Sequence, residues 1–406
     1  MKYRFSLLFT IISLLLLAQC AQPDPAEIPE PALPADPAVE SFGITPEDAA
    51  AEALAAREAL SPATRAQAVA VRSVVRHGAQ TAVQSAQTVD PSFYVVNFEQ
   101  ESGFAIVAAD RRQQATVYAI SDEGALPDPA SIGEESPLNL IYARIGQLAS
   151  APTDMRQQGA VVVTNWKTIK TVGPYVKVCW GMEYPYRQSA FNVALCQIMS
   201  YHQWPTTYRW GVINQYLGRY FQPSSDPVLL SAASQLFRTV DEKIEGAGST
   251  EQAFSRVGYL CDAEKPYKMS IVYDQIDLKR PVFAFGQERV GCVVYAYPWV
   301  MDGYLLQSRS TSAYPGIETR TLIHCNLGND GYGNGYYLSA LFDLNDPEYK
   351  DNPTWPDGWA QGQNSFDANH IGIITNIRPN RLLIGNPDLT ITLKPGILDS
   401  AVFVRP

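Results

Sequence analysis

Thiols and imidazoles are the side chains of this chain best able to do covalent or acid–base chemistry. Five of the six cysteines lie beyond the leader, Cys179, Cys196, Cys261, Cys292 and Cys325, and the four histidines are His77, His202, His324 and His370. A thiol becomes a nucleophile where a helix N-terminus and a nearby imidazole stabilise its thiolate. No cysteine pair shows C-x-x-C spacing or His/Cys metal spacing, which predicts no zinc site and no cofactor. Five is an odd number, so at least one thiol is unpaired within the chain. Cys196 sits among Val193, Leu195 and Ile198, the setting of a core thiol. Asp302-Gly303-Tyr304 reads as a bend after a buried strand. The Gly/Asn-rich run at 329–335 holds only Asp330, too few carboxylates for calcium. Trp180, Tyr184, Tyr186, Tyr297 and Trp299 either line a groove or form a core cluster.

Composition bounds what these groups serve. With 46% hydrophobic residues over 406, the chain can bury large cores. A net charge of -10 without any basic run argues against a nucleic-acid surface. Lys2 and Arg4 precede an apolar run at 7–18, the pattern of an export signal, and Leu17-Ala18-Gln19-Cys20 resembles a lipoprotein cleavage box. The reading is lipidation of Cys20 and an extracytoplasmic, outer-membrane or cell-surface protein, with an ordinary secretory signal as the alternative. Residues 21–42 form a Pro/Ala/acid tether that would reach about 60 Å as an extended polyproline helix.

The elements that must position the chemistry come next. Thr45 is a helix cap with Pro46 at the first helical position, and the Ala-rich helix should end before Pro62. Strands are expected at 68–75, 93–98, 104–108 and 116–120, followed by a helix at 138–148. This makes a small α+β module over 43–150. Two more strands are expected at 389–393 and 401–404, within a C-terminal segment 381–406.

Three runs in the first module, FYVVNF at 93–98, GFAIVAAD at 103–110 and YAISDEG at 118–124, resemble the propeptide of streptopain-type cysteine peptidases and the related small inhibitor domain. Residues 151–380 resemble the peptidase itself. SAFNVALCQIMSYHQWP at 189–205 is similar to its nucleophile helix, YPWVMDGY at 297–304 to its histidine strand, and NLG at 326–328 with GYYLS at 335–339 to its N-W-G and G-Y-Y segments. The resemblance implies an α+β architecture, a papain-like domain preceded by an inhibitory prodomain. It also implies where the chemistry should be. The nucleophile position holds Ala190, the base position Tyr297 and the orienting position Asn326, while the oxyanion glutamine falls on Thr168 and the shielding tryptophan on Leu327.

A methyl group cannot attack a carbonyl, and a phenol with an unperturbed pKa of about 10 is no base near neutrality. Cys196 is six residues beyond Ala190, about 240° round a helix and about 9 Å along it. Cys179 is the one thiol kept as a substitute. Trp180, Ser189, Ala190, Tyr297, Trp299 and Asn326 are expected to line the cleft. The resulting expectation is a pseudopeptidase whose cleft takes a peptide, a protein or its own prodomain. The alternatives are an active peptidase using another thiol and an inhibitory module acting through residues 43–150. Ala190→Cys together with Tyr297→His is expected to be the least change that could revive cutting.

Overall fold

The computed structural model describes residues 42–60, 69–78, 90–113, 115–127, 132, 136–150, 165–183, 187–218, 226–290, 293–310, 316–343 and 371–381. The leader, the tether, Cys20, Tyr184, Tyr186, Cys292, His370 and the strands expected at 389–393 and 401–404 lie outside the described residues.

Thr45 Oγ1 accepts the amide of Asp48 at 3.1 Å and so starts α1, Pro46–Leu60, whose first turn carries Glu47 and Asp48. Carboxylates there complement the unpaired amides of a helix start. Ala49, Ala53 and Ala56 form its buried stripe, and their small size lets the helix lie close to the sheet. The strands β1 (Val71–His77), β2 (Phe93–Phe98), β3 (Phe104–Ala108) and β4 (Val117–Ser121) pair antiparallel in that order. Every residue of β2, β3 and β4 is buried, which explains their mostly apolar runs, with buried Asn97 bonded to the Leu126 backbone. β1 lies at the sheet edge and is only partly buried. It ends later than expected because Arg76 and His77 still pair with Tyr94 and Phe93. The helix α2, Pro137–Ser150, follows.

The remaining elements are β5 (Lys167–Val172), α3 (Ala190–His202), α4 (Trp210–Ile213), α5 (Pro227–Ile244), α6 (Thr250–Arg256), β6 (Tyr259–Leu260), β7 (Lys265–Pro266), α7 (Met269–Asp277), β8 (Val282–Val290), β9 (Val293–Ser310), β10 (Ile317–Asn326), β11 (Gly335–Leu338), β12 (Ile371–Ile374) and β13 (Arg378–Pro379). Among the described residues one antiparallel sheet runs β1-β2-β3-β4-β11-β10-β9-β8-β12-β7, with β5 added on β9. The strands of the first module therefore continue into those of the second half. Tyr336 pairs with Ile120 and Tyr337 with Ala119 at the joint. The sheet runs across the boundary expected at 150/151.

β9 organises the second half. Its residues 293–301 pair with β8 and 304–308 with β5, so β8 and β5 follow one another along the same edge. On its other side His324 pairs with Gly303 and Cys325 with Met301, which leaves Asp302 as the extra residue of a bulge. Bulges re-aim side chains, and this one turns a carboxylate inward.

The two faces of the β8–β9 ladder serve different cores. Tyr297, Trp299 and Met301 pair with Gly286, Ala284 and Val282 and share their face. Together with Leu138, Leu140, Ile141 and Ile145 of α2 they belong to the core that also contains β2, β3 and β4. Val300, Phe283 and Phe285 point the other way, into a core with Val193, Cys196 and Ile198 of α3.

Candidate functional site

Ala190 opens α3, as the sequence implies. Ser189 is its cap, its hydroxyl accepting the Asn192 amide at 3.2 Å. The helix start is held by Phe191 edge-on to Phe283, ring centres 5.1 Å apart, and by Val193, which lies 3.1 Å from where a Cβ on Gly328 would stand. The positive end of a helix is in place. A methyl group stands where a thiol would use it.

Tyr297 is 3% exposed and packs on the face of the sheet covered by α2, whereas α3 packs on the opposite face. Ala190 itself belongs to neither of these two cores. A histidine in place of Tyr297 would be enclosed beneath α2. The expected cleft changes with it. Trp180 and Trp299 are fully buried, Asn326 is 1% and Ala190 9% exposed, and only Ser189 is open to solvent. These residues form packed interior rather than an open groove. The Trp180 indole donates to Tyr216 O at 2.7 Å, a core role.

Asn326 is placed by the end of β10 and used as a brace. Its Oδ1 accepts from Gln197 Nε2 of α3 at 3.0 Å and its Nδ2 donates to Val178 O at 2.8 Å. Gln197 also donates to Trp180 O at 3.1 Å. The buried amide pair links three segments, while Gln197 Oε1 has no hydrogen-bond partner among the described residues. The role of this residue is to tie α3 to the segment 178–180. Thr168 is set apart altogether. It pairs with Gln307, ten residues along β9 from Tyr297, about 33 Å at the usual strand rise. Its hydroxyl donates to Ala59 O and accepts from Gln307 Nε2 at 3.1 Å. It is a clamp on the end of α1, which corrects the oxyanion assignment; the slip arose from reading a loose W-x-Q register onto an edge strand.

The described thiols are unsuited to attack. Burial pushes Cys179 up to about 12, against an opposing hydrogen bond from Asn334, and Asp302, Glu123 and Asp330 raise it further. Burial also raises Cys261 to about 11 and lifts Cys196 and Cys325 well above the ordinary range. The Cys196 thiol donates to Asn192 Oδ1 at 3.3 Å. Each is held as the neutral thiol.

One acid–base pair went unread in the sequence. His324 Nδ1 lies 2.6 Å from Asp302 Oδ1, and Asp302 Oδ2 accepts the Val176 amide at 2.7 Å. Asp302 is fully buried and the His324 side chain 12% exposed. The His324 ring meets Tyr336 edge-on at 5.0 Å. The segment before Val176 approaches so closely that a Cβ added to Gly173, at φ +74°, would collide with Asp302 O; no other residue fits there. The signal was available: a histidine and an aspartate each interrupt an apolar strand, LIHCN and VMDGY.

Comparison with known proteins places the first module. Residues 44–137 match the family model described as Spi protease inhibitor. No curated protein matches the chain. Among solved structures, the active wild-type interpain A cysteine protease of Prevotella intermedia is similar at 13% identity and a TM-score of 0.33, over 51% of this chain and 95% of that one. That likeness is too low to carry an argument. The inhibitor-type module at 44–137, joined by one sheet to a second half, is the framework for any functional reading.

Proposed function

We propose that this chain is a non-catalytic relative of the streptopain-type cysteine peptidases, exported and held at a membrane by a lipid on Cys20, in which residues 42–150 remain as a cover. The observation that supports this best is chemical. The helix that would present a nucleophile begins with Ala190, and burial keeps each described cysteine protonated. Tyr297 adds no base, being buried under α2. Its ligand in this reading is a peptide or protein rather than a small molecule.

The test is an electrophilic cysteine-peptidase probe applied to the folded full chain, read by intact mass alongside hydrolysis of a denatured protein substrate. No adduct and no hydrolysis are expected. A stoichiometric adduct abolished by Cys179→Ser would overturn the reading in favour of an active peptidase.

A second reading has its own observation, the match of residues 44–137 to a protease inhibitor. In it the module binds another, active peptidase in trans. Titration of the full chain into an active streptopain-type peptidase separates the two. Stoichiometric inhibition favours the second, and unchanged turnover with a hundredfold excess favours the first.

A further inference from the structure

A cover that touches its body only through surface contacts leaves once the connecting chain is cut. The seam between residues 42–150 and the rest is built differently, and it has three parts. The first is a strand joint. β4 supplies the neighbour of β11, and the Gly333 amide donates to Ala125 O at 3.0 Å beside it. A Cβ on Gly335 would stand 3.0 Å from Ser121 Cβ and 3.1 Å from the Phe104 ring. The second is a notch. Gly286 leaves a gap in β8 that Leu140 of α2 fills, its Cδ2 occupying the space a Cβ would need, with Ile371 Cδ1 at 3.1 Å as the far wall. Leu138, two residues nearer the start of the helix, lies in the same way over Gly333 at 3.1 Å, next to Leu327. The third is the Thr168 clamp on Ala59 O at the end of α1.

We propose that residues 42–150 are a permanent half of the sheet, keyed by Leu140 in the Gly286 notch, so that cutting the chain between residues 150 and 165 does not release them. The physical reason lies in what release would expose. β11 carries Tyr336, Tyr337 and Leu338, all buried, and would become an apolar open edge of the kind that aggregates. Trp299 and Tyr297 would lose the helix above them. The inference rests on reading these residues as a cover, and not on the loss of catalysis; probe labelling tests the latter alone.

The experiment places a site-specific protease sequence between residues 150 and 165, cuts the folded full-length protein and follows it by size exclusion at micromolar concentration. One species with the size of the uncut chain is expected. Separation into two pieces under the same conditions would overturn the proposal. The key is tested on the cut protein. Gly286→Ala forces the tip of Leu140 aside and should speed dissociation at least tenfold, and Leu140→Ala with Gly286→Ala should recover part of that loss, since the new methyl no longer meets the Leu140 tip and fills some of the emptied space. Failure of the double variant to recover would remove the notch from the account. Leu140→Ala in the uncut chain, which adds no atoms, should raise hydrogen exchange of the α2 amides at least tenfold; unchanged exchange would have the same force.

Discussion

The two faces of the β8–β9 ladder are built on opposite principles. The face under α2 is mainly apolar, with Tyr297, Trp299 and Met301 in one core with leucines and isoleucines of the helix. The face toward α3 and its approach segment adds polar braces to its packing: the Asn326–Gln197 amide pair and the Asp302–His324 pair at the bulge. Dispersion and burial hold the first, and a change there costs in proportion to the volume removed. Directional bonds between desolvated groups hold the second, where the cost of a change depends on which partner is left behind. The base position faces the apolar side, and the polar groups that remain face elsewhere.

The apolar side should yield the largest single effect. Trp299 is fully buried, with its ring 5.9 Å from that of Phe342, and Trp299→Ala should cost about 4 kcal/mol in urea unfolding. A loss under about 1 kcal/mol would mean that the face is not a packed core.

On the polar side Asp302→Ala should cost about 3 kcal/mol, because it strands His324 and the Val176 amide. The sharper comparison is the double replacement of Asp302 by Leu and His324 by Phe. Removing both partners should recover at least half of the loss, as no buried polar pair remains to satisfy, although the Val176 amide keeps a residue of the cost. No such recovery is open to Trp299. Equal cost for the single and double changes would erase the distinction between the faces.

A third effect is set by pH. At the end of α3, burial lowers His202 to about 4, with Arg280 and Arg381 adding to the shift and a backbone bond at Ile377 opposing it. The unfolded chain therefore takes up this proton first as pH falls below about 6.5. Stability contributed by neutral His202 is complete above that value, declines between about 6.5 and 4, and is gone below; allowing for partial exposure, the loss is on the order of 2 kcal/mol. Unfolding of the wild type and of His202→Gln across this window should differ in slope, and parallel curves would refute the assignment.

Local signals in the sequence reached the elements and stopped short of their assembly. The Thr45 cap, the Ala-rich helix α1 and the strands β2, β3 and β4 are each written within a few residues, and each is found where expected. The joint of β4 to β11 links residues more than two hundred positions apart, and nothing local encodes it. Thr168 failed for a related reason, since register on an edge strand is set by its partner. Trp180 and Trp299 left groove and core open because tryptophans suit both, and their burial places them in packed interior. Asp302 and His324 were legible as polar breaks in apolar strands, yet neither names the other as its partner.

The smallest expected effect in stability tests the functional reading most directly. Ala190→Cys adds one sulfur at a site 9% exposed and should change stability by less than about 1 kcal/mol. The new thiol would sit at the start of α3 with the helix dipole favouring its thiolate. At neutral pH it should therefore react with iodoacetamide faster than the buried thiols Cys196 and Cys325. Reactivity of that kind is not catalysis, which also needs a base within reach and a proton for the leaving group. Adding Tyr297→His supplies an imidazole on the face covered by α2, where the thiol's helix does not pack. The double variant should therefore alkylate like the single one and cut no peptide. Peptide hydrolysis by the double variant, absent from the matched control Ala190→Ser with Tyr297→His, would show that the two faces are joined in solution after all, and that α2 moves off Tyr297.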